Sequence, residues 1–206
     1  MELLTILLGA AMHLRALAES AVRSAASPAV LCFVLTPGLA AAAEDESLEY
    51  AVKAAYLSKF GLYVEWPATA FSSPSSAINL CIVGEDPFGA MLNEVVSDQR
   101  IGGRAILIRR LKTVGRDSGC HILYIGEADT QRVTQIIEAV RGSSVLTVSD
   151  AHEPGAATGI INFVIKADRV RFDIDDQAAA QNGLTISSKL LSLALSVKPR
   201  QAQEAP

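Results

Sequence analysis

With 206 residues, half of them hydrophobic, and 18 Lys plus Arg against 22 Asp plus Glu, the chain is long enough for one ordinary core and too apolar for a disordered tail. Its net charge of −4 comes with no basic run beyond Arg109-Arg110. That excludes a dedicated nucleic-acid binder, which needs a clustered basic face.

The first segment reads as a leader. Arg15 and Arg23 precede the apolar run Ala29-Val-Leu-Cys-Phe-Val-Leu, and small residues follow before Glu44-Asp-Glu, which is the basic, apolar, small-residue order of a secretory signal. Ala41 and Ala43 fit the positions a signal peptidase inspects, so cleavage is expected after Ala43. This gives a signal peptide over 1–43, a domain over 44–198 and a flexible tail over 199–206, with Met12 as an alternative start. A retained anchor is the competing reading, but Pro37 and Gly38 interrupt an apolar core well short of the roughly 20 residues that span a bilayer. The mature chain is therefore expected in the periplasm, with no membrane insertion. Cys32 leaves with the leader. The remaining pair, Cys81 and Cys120, favours one disulfide in an oxidising compartment over two buried thiols.

Over 48–64, Leu48, Val52, Ala55, Tyr56, Phe60 and Tyr63 recur at spacings of three and four, which predicts an amphipathic helix ending near Trp66-Pro67. A serine-rich loop follows. The continuous apolar run Ile78-Asn-Leu-Cys-Ile-Val-Gly predicts a strand covered on both faces, followed by a turn at Asp86-Pro87 and a short helix over 88–96. Further strands are predicted over 104–111 and 120–126. Asp129 or Thr130 should cap a helix carrying Val133, Ile136, Ile137 and Val140, which Gly142 stops before a strand over 144–149. The segments 160–165 and 170–174 flank Lys166-Ala-Asp-Arg as an antiparallel hairpin decorating one edge. The chain should close on 176–181, a turn at Asn182-Gly183 and a helix over 187–197 ended by Pro199. Strands alternating with helices predict an α/β single-domain three-layer sandwich: a mostly parallel central sheet, a C-terminal antiparallel hairpin and flanking helices.

Signatures of chemistry are few. There is no G-x-S-x-G elbow, and Gly84-Glu-Asp-Pro-Phe-Gly lacks the spacing and the cation of a phosphate-cradling loop. Outside the leader the only histidines are His121 and His152, with no partner at ligand spacing, so neither a metal site nor a cofactor is expected. His121, alternating with apolar neighbours, reads as a packed core histidine rather than a base. Asp173, Asp175 and Asp176 read as helix capping and solvated surface rather than a Ca²⁺ loop. Ser187 and Ser188 precede Lys189, but Ile186 stands where S-x-x-K chemistry needs its serine, so Ser187 reads as an N-cap. No catalytic residue is expected, and the chain reads as a binding protein rather than an enzyme. Tyr50, placed off the predicted core stripe, and Trp66, the only Trp, are candidate interface anchors, because aromatic residues are enriched at interfaces. The competing reading packs both rings within one monomer.

The ordered fragments Tyr50-Ala-Val-Lys-Ala-Ala-Tyr-Leu-Ser-Lys-Phe with Val64-Glu-Trp-Pro, Leu80-Cys-Ile-Val-Gly, Cys120-His-Ile-Leu-Tyr-Ile, Val145-Leu-Thr-Val-Ser-Asp, Arg169-Val-Arg-Phe-Asp-Ile and Leu184-Thr-Ile-Ser-Ser-Lys-Leu-Leu resemble the YfiR family of periplasmic proteins. The resemblance implies a homodimeric regulator that docks on the periplasmic region of an inner-membrane diguanylate cyclase and holds it inactive, so that envelope signals control cyclic di-GMP and biofilm behaviour. It also implies redox-sensitive cysteines. Cys81 and Cys120 match the family's disulfide pair, and the second pair carried by some members is missing. The loop Ala151-His-Glu-Pro-Gly-Ala-Ala-Thr-Gly departs from the aromatic and Gly-Gly pattern of the family. The alternative reading is a periplasmic small-ligand receptor with its pocket at the carboxyl ends of the strands, near Gly84-Glu-Asp-Pro and Gly126-Glu-Ala-Asp.

Overall fold

The computed structural model describes residues 38–126, 129–150, 155 and 157–201. Positions 1–37, with Met12, Cys32 and most of the expected leader, lie outside the described residues, as do His152 and positions 202–206. The chain divides into two units, and the fold described below is that of Ala40–Pro206. Of the other, Met1–Leu39, only Gly38 and Leu39 are described, as the first residues of a helix.

That helix, α1 (Gly38–Phe60), runs through the point where cleavage is expected and passes by a 3-10 turn into the two-residue strand β1 (Val64–Glu65). The next elements are β2 (Ile78–Gly84), α2 (Gly89–Val96), β3 (Arg100–Ile101), β4 (Arg104–Leu111), β5 (Ile122–Gly126), α3 (Thr130–Val140) and β6 (Leu146–Ser149). The hairpin β7 (Ile161–Ile165) and β8 (Val170–Asp175) is followed by α4 (Asp176–Gln181), β9 (Thr185–Ile186), α5 (Ser188–Leu191) and β10 (Val197–Lys198).

One eight-stranded sheet has the order β10-β8-β7-β6-β5-β2-β4-β3, and a separate antiparallel pair joins β1 to β9, Val64 opposite Ile186. The run β4-β2-β5-β6-β7 is parallel throughout. This explains why β2 and β5 are apolar at nearly every position: alternate side chains enter different cores. Leu80, Ile82, Ile122 and Tyr124 join the cluster under α1 and α2, whereas Cys81, Val83, Leu123 and Ile125 join the one under α3. The three layers are thus those the alternation of elements predicts.

Local chemistry sets the ends of these elements. Asp129 accepts the Arg132 N–H at 2.9 Å at the start of α3, and Asp175 accepts that of Ala178 at 2.8 Å at the start of α4, relieving donors that a helix leaves unpaired. The hairpin turns on Ala167 and Asp168, both left-handed at φ 50° and 55°, as a primed two-residue turn requires. The crossover from β6 to β7 is tied by buried polar bonds: Gly159 N–H to Ser149 Oγ at 2.8 Å, Ile160 N–H to Thr147 Oγ1 at 2.9 Å, and Ser149 Oγ to Asn162 Oδ1 at 2.7 Å.

Three expectations need correction. The closing helix spans Ser188–Leu191 rather than 187–197. Past Leu191 the chain turns onto the edge of β8, where Leu195 N–H meets Phe172 O at 2.8 Å and Ile174 N–H meets Ser196 O at 3.0 Å, so an open strand edge wins over further helical turns. The hairpin is consequently not the sheet margin, because β10 lies outside it. The core stripe of α1 is also rotated from the predicted one. Ala54, Leu57 and Phe60 are buried, while Leu48 is 64% and Val52 is 37% exposed.

Candidate functional site

At the amino end of the parallel strands, Cys81 in β2 and Cys120 just before β5 form a disulfide with Cα atoms 5.8 Å apart. The pairing of Leu80 with Ile122 brings them together. Next to it, His121 is stapled at both ring nitrogens. Nδ1 accepts the Asn79 N–H at 3.0 Å, and Nε2 lies 3.1 Å from Ala70 O. A carbonyl can only accept, so the proton sits on Nε2 and the ring is neutral. Phe71 stacks on this ring with centroids 4.7 Å apart, and the Arg104 guanidinium lies 3.9 Å from the centroid of Phe71.

Burial holds the His121 pKa below its ordinary value; the Ala70 hydrogen bond opposes this in part, and the charge of Arg104 adds to it. Protonation would also place a proton on Nδ1, where the ring must accept. The unfolded state therefore binds the proton more readily, so the stability from His121 is complete above about pH 6.5 and is lost as the pH falls towards the lower folded-state pKa. The melting temperature is expected to drop between pH 7.5 and 5.5, and His121→Asn, though less stable overall, should lose most of that dependence. Equal slopes in the two proteins would refute this account.

At the carboxyl end of the strands, the described residues of the two turns named for a solute pocket approach each other closely. Glu85 N–H donates to Gly126 O at 2.5 Å, and a Cβ added to Gly126 would lie 1.9 Å from Glu85 O. Backbone meets backbone at Glu85 and Gly126; Glu127 and Ala128 lie outside the described residues.

The same end holds an ionic cluster that sequence reasoning missed. Lys53 of α1 is 0% exposed; its ammonium donates to Asp150 at 2.5 Å and to Glu49, and lies 4.8 Å from the Tyr50 ring centroid. Burial alone would lower its pKa, yet the hydrogen bonds to Asp150 and Glu49 and their charges outweigh that and hold it above the ordinary value. Burial, followed by the charges of Asp150, Tyr50 and Asp86, pushes the Tyr124 hydroxyl well above its usual range, and Tyr124 also hydrogen-bonds Asp150. A lysine held charged and a tyrosine held protonated make a structural knot, not a nucleophile and its base. The signal was present in the sequence: Lys53 lies four residues after Glu49 and shares the spacing of Tyr50, Ala54 and Leu57.

The two interface candidates are both partly buried. Tyr50 faces inward, edge-on to Phe88 with centroids 5.9 Å apart. Trp66 packs on the same core, and its buried indole N–H has no acceptor among the described residues. The exposed face of α1 instead carries Leu48 and Val52, and Ala51, Val52, Ala55, Tyr56 and Lys59 line a shallow hollow of about 350 Å³. Among the described residues, no group of three His, Cys, Asp or Glu could hold a metal ion, and no helix is long and apolar enough to cross a membrane. The DUF4154 family model, described as YfiR/HmsC-like, matches residues 50–195. No curated protein matches the chain.

Proposed function

The chain belongs to the YfiR/HmsC-like family, and on that premise we propose that it is a non-enzymatic periplasmic regulator that binds and inhibits the periplasmic region of an inner-membrane diguanylate cyclase. Its input is envelope or redox state and its output is cyclic di-GMP. Inhibition requires only that the regulator bind the inactive cyclase more tightly than the active one, so that release or reshaping of the regulator shifts the population. The protein acts as a homodimer in this reading.

The observation that carries the partner-binding role is the apolar outer face of α1. Leu48 and Val52 stay exposed beside Ala55 and Tyr56, although the buried side of the same helix already supplies a full core stripe. Contiguous exposed apolar surface of this kind marks interaction sites. Tyr50, which packs inward from the middle of α1, and Trp66, six residues past its end, are both partly buried against the core; in this reading they serve as the strip's aromatic anchors.

The test is capture of a membrane diguanylate cyclase's periplasmic region from the same genome, read together with cellular cyclic di-GMP. The double variant Leu48→Glu/Val52→Glu should lose capture and raise cyclic di-GMP with an unchanged melting temperature. Tyr50→Ala or Trp66→Ala should weaken dimerisation or repression. An anchor whose replacement merely unfolds the protein is not one, and failure of the wild type to bind any such cyclase would overturn the reading.

A further inference from the structure

A cavity of about 580 Å³ opens at the amino ends of β2, β5 and β6, a volume within the range of small-molecule sites, about 300–1,000 Å³. Its walls come from the loop before β2, the 3-10 turn Arg116–Ser118 and the turn before β6. Arg116 stands in the wall, exposed, and among the described residues its guanidinium has no ion pair or hydrogen-bond partner. A second guanidinium stands close by. Arg109 donates to Ser118 O at 2.5 Å, and its Nη1 is 3.6 Å from where a Cβ on the lining residue Gly119 would lie. Among the described residues no carboxylate lines the cavity, although Asp117 belongs to the same turn.

The remaining walls are hydroxyl, amide and a little hydrocarbon. Thr69, Ser144 and Asn79 offer polar groups, and Leu107, 54% exposed, offers an apolar patch beside Cys120. The serine-rich rim is already held in place. Arg104 donates to Ser73 O at 3.0 Å and to Ser76 O at 2.6 Å, and the Ser72 and Ser76 hydroxyls are 2.9 Å apart. Stacking of Phe71 on the stapled His121 ring anchors the same loop. A preformed rim loses little ordering entropy when a ligand enters.

We propose that this cavity binds a small hydroxylated organic anion with the size and chemistry of a sugar acid or a sugar phosphate. Arg116 takes the anionic group, for which a guanidinium fork is the matching donor. Thr69, Ser144 and Asn79 meet the hydroxyls, and Leu107 with Cys120 carries the carbon frame. The disulfide thus forms part of the wall, and the site lies away from the α1 strip and does not depend on the partner reading.

Calorimetric titration of the purified exported protein with glucuronate, glucose 6-phosphate and neutral glucose tests this. At least one of the two anions should bind one-to-one, with glucose at least tenfold weaker, and the better anion distinguishes carboxylate from phosphate chemistry. Arg116→Ala, at an exposed position, should weaken that anion at least tenfold with an unchanged melting temperature, whereas Lys112→Ala, which removes an exposed charge outside the lining, should not. Absence of binding by either anion at millimolar concentration, equal binding of glucose, or equal loss in the two variants would overturn the proposal.

Discussion

Reduction of the Cys81–Cys120 disulfide is expected to lower the unfolding free energy by about 3–4 kcal/mol, the chain-entropy value for a loop of this length, given a sequence separation of 39. That is a large share of the roughly 5–15 kcal/mol that holds a typical domain together. The closed loop runs from the middle of β2 through α2, β3 and β4, so the bond constrains segments of three of the sheet's strands in the unfolded chain. Denaturant melts of the oxidised and the reduced protein measure the effect directly. The double variant Cys81→Ala/Cys120→Ala should melt near the reduced form and ignore reductant. Coincident midpoints for the oxidised and the reduced protein would show that the bond adds nothing.

Lys53→Met should be of similar severity, about 3–5 kcal/mol, because removing one partner of a buried ion cluster strands the charges it was neutralising. Here the stranded groups are Asp150, nearly buried, and Glu49, partly so. Replacing all three, Lys53→Met with Asp150→Asn and Glu49→Gln, should recover a good part of the loss, since it is the uncompensated charge and not the missing salt bridge that costs most. Equilibrium unfolding of the single and the triple variants gives the comparison. A triple variant no better than Lys53→Met alone would assign the loss to packing.

Much of the fold was legible because it is written locally. The both-face apolar runs of β2 and β5, the Asp129 cap of α3 and the left-handed Gly142 after it each follow from a few neighbouring residues. What could not be read depends on residues far apart in the chain. The β1–β9 pair joins Val64 to Ile186, and nothing near Val64 announces that partner. The length of α5 is decided by β8, not by α5. The face of α1 was misjudged because Leu48, Val52 and Tyr56 form an apolar stripe of their own beside the buried one, and the burial of Lys53 within the true stripe is made tolerable by Asp150, 97 positions away. Of the site, the cysteine pair could be named from the sequence, whereas the His121 staple and the cavity beside it need Ala70, Asn79 and Ser144, drawn from three separate loops and strand ends.

The edge of β8 is guarded by very little. β10 contributes two residues, Val197 and Lys198, and is held by Ser196 Oγ on Asp173 at 2.8 Å, Lys198 Nζ on Asp175 at 2.8 Å, and Arg200 on Asp176 at 2.8 and 3.1 Å and on Leu184 O at 3.0 Å. These residues follow every other strand in the chain. During synthesis, or after clipping near residue 195, the β8 edge would stand open with its row of backbone donors and acceptors, a template for strand-to-strand aggregation. Covering of that edge by the short strand and its arginine latch thus depends on residues made after β8 and its hairpin.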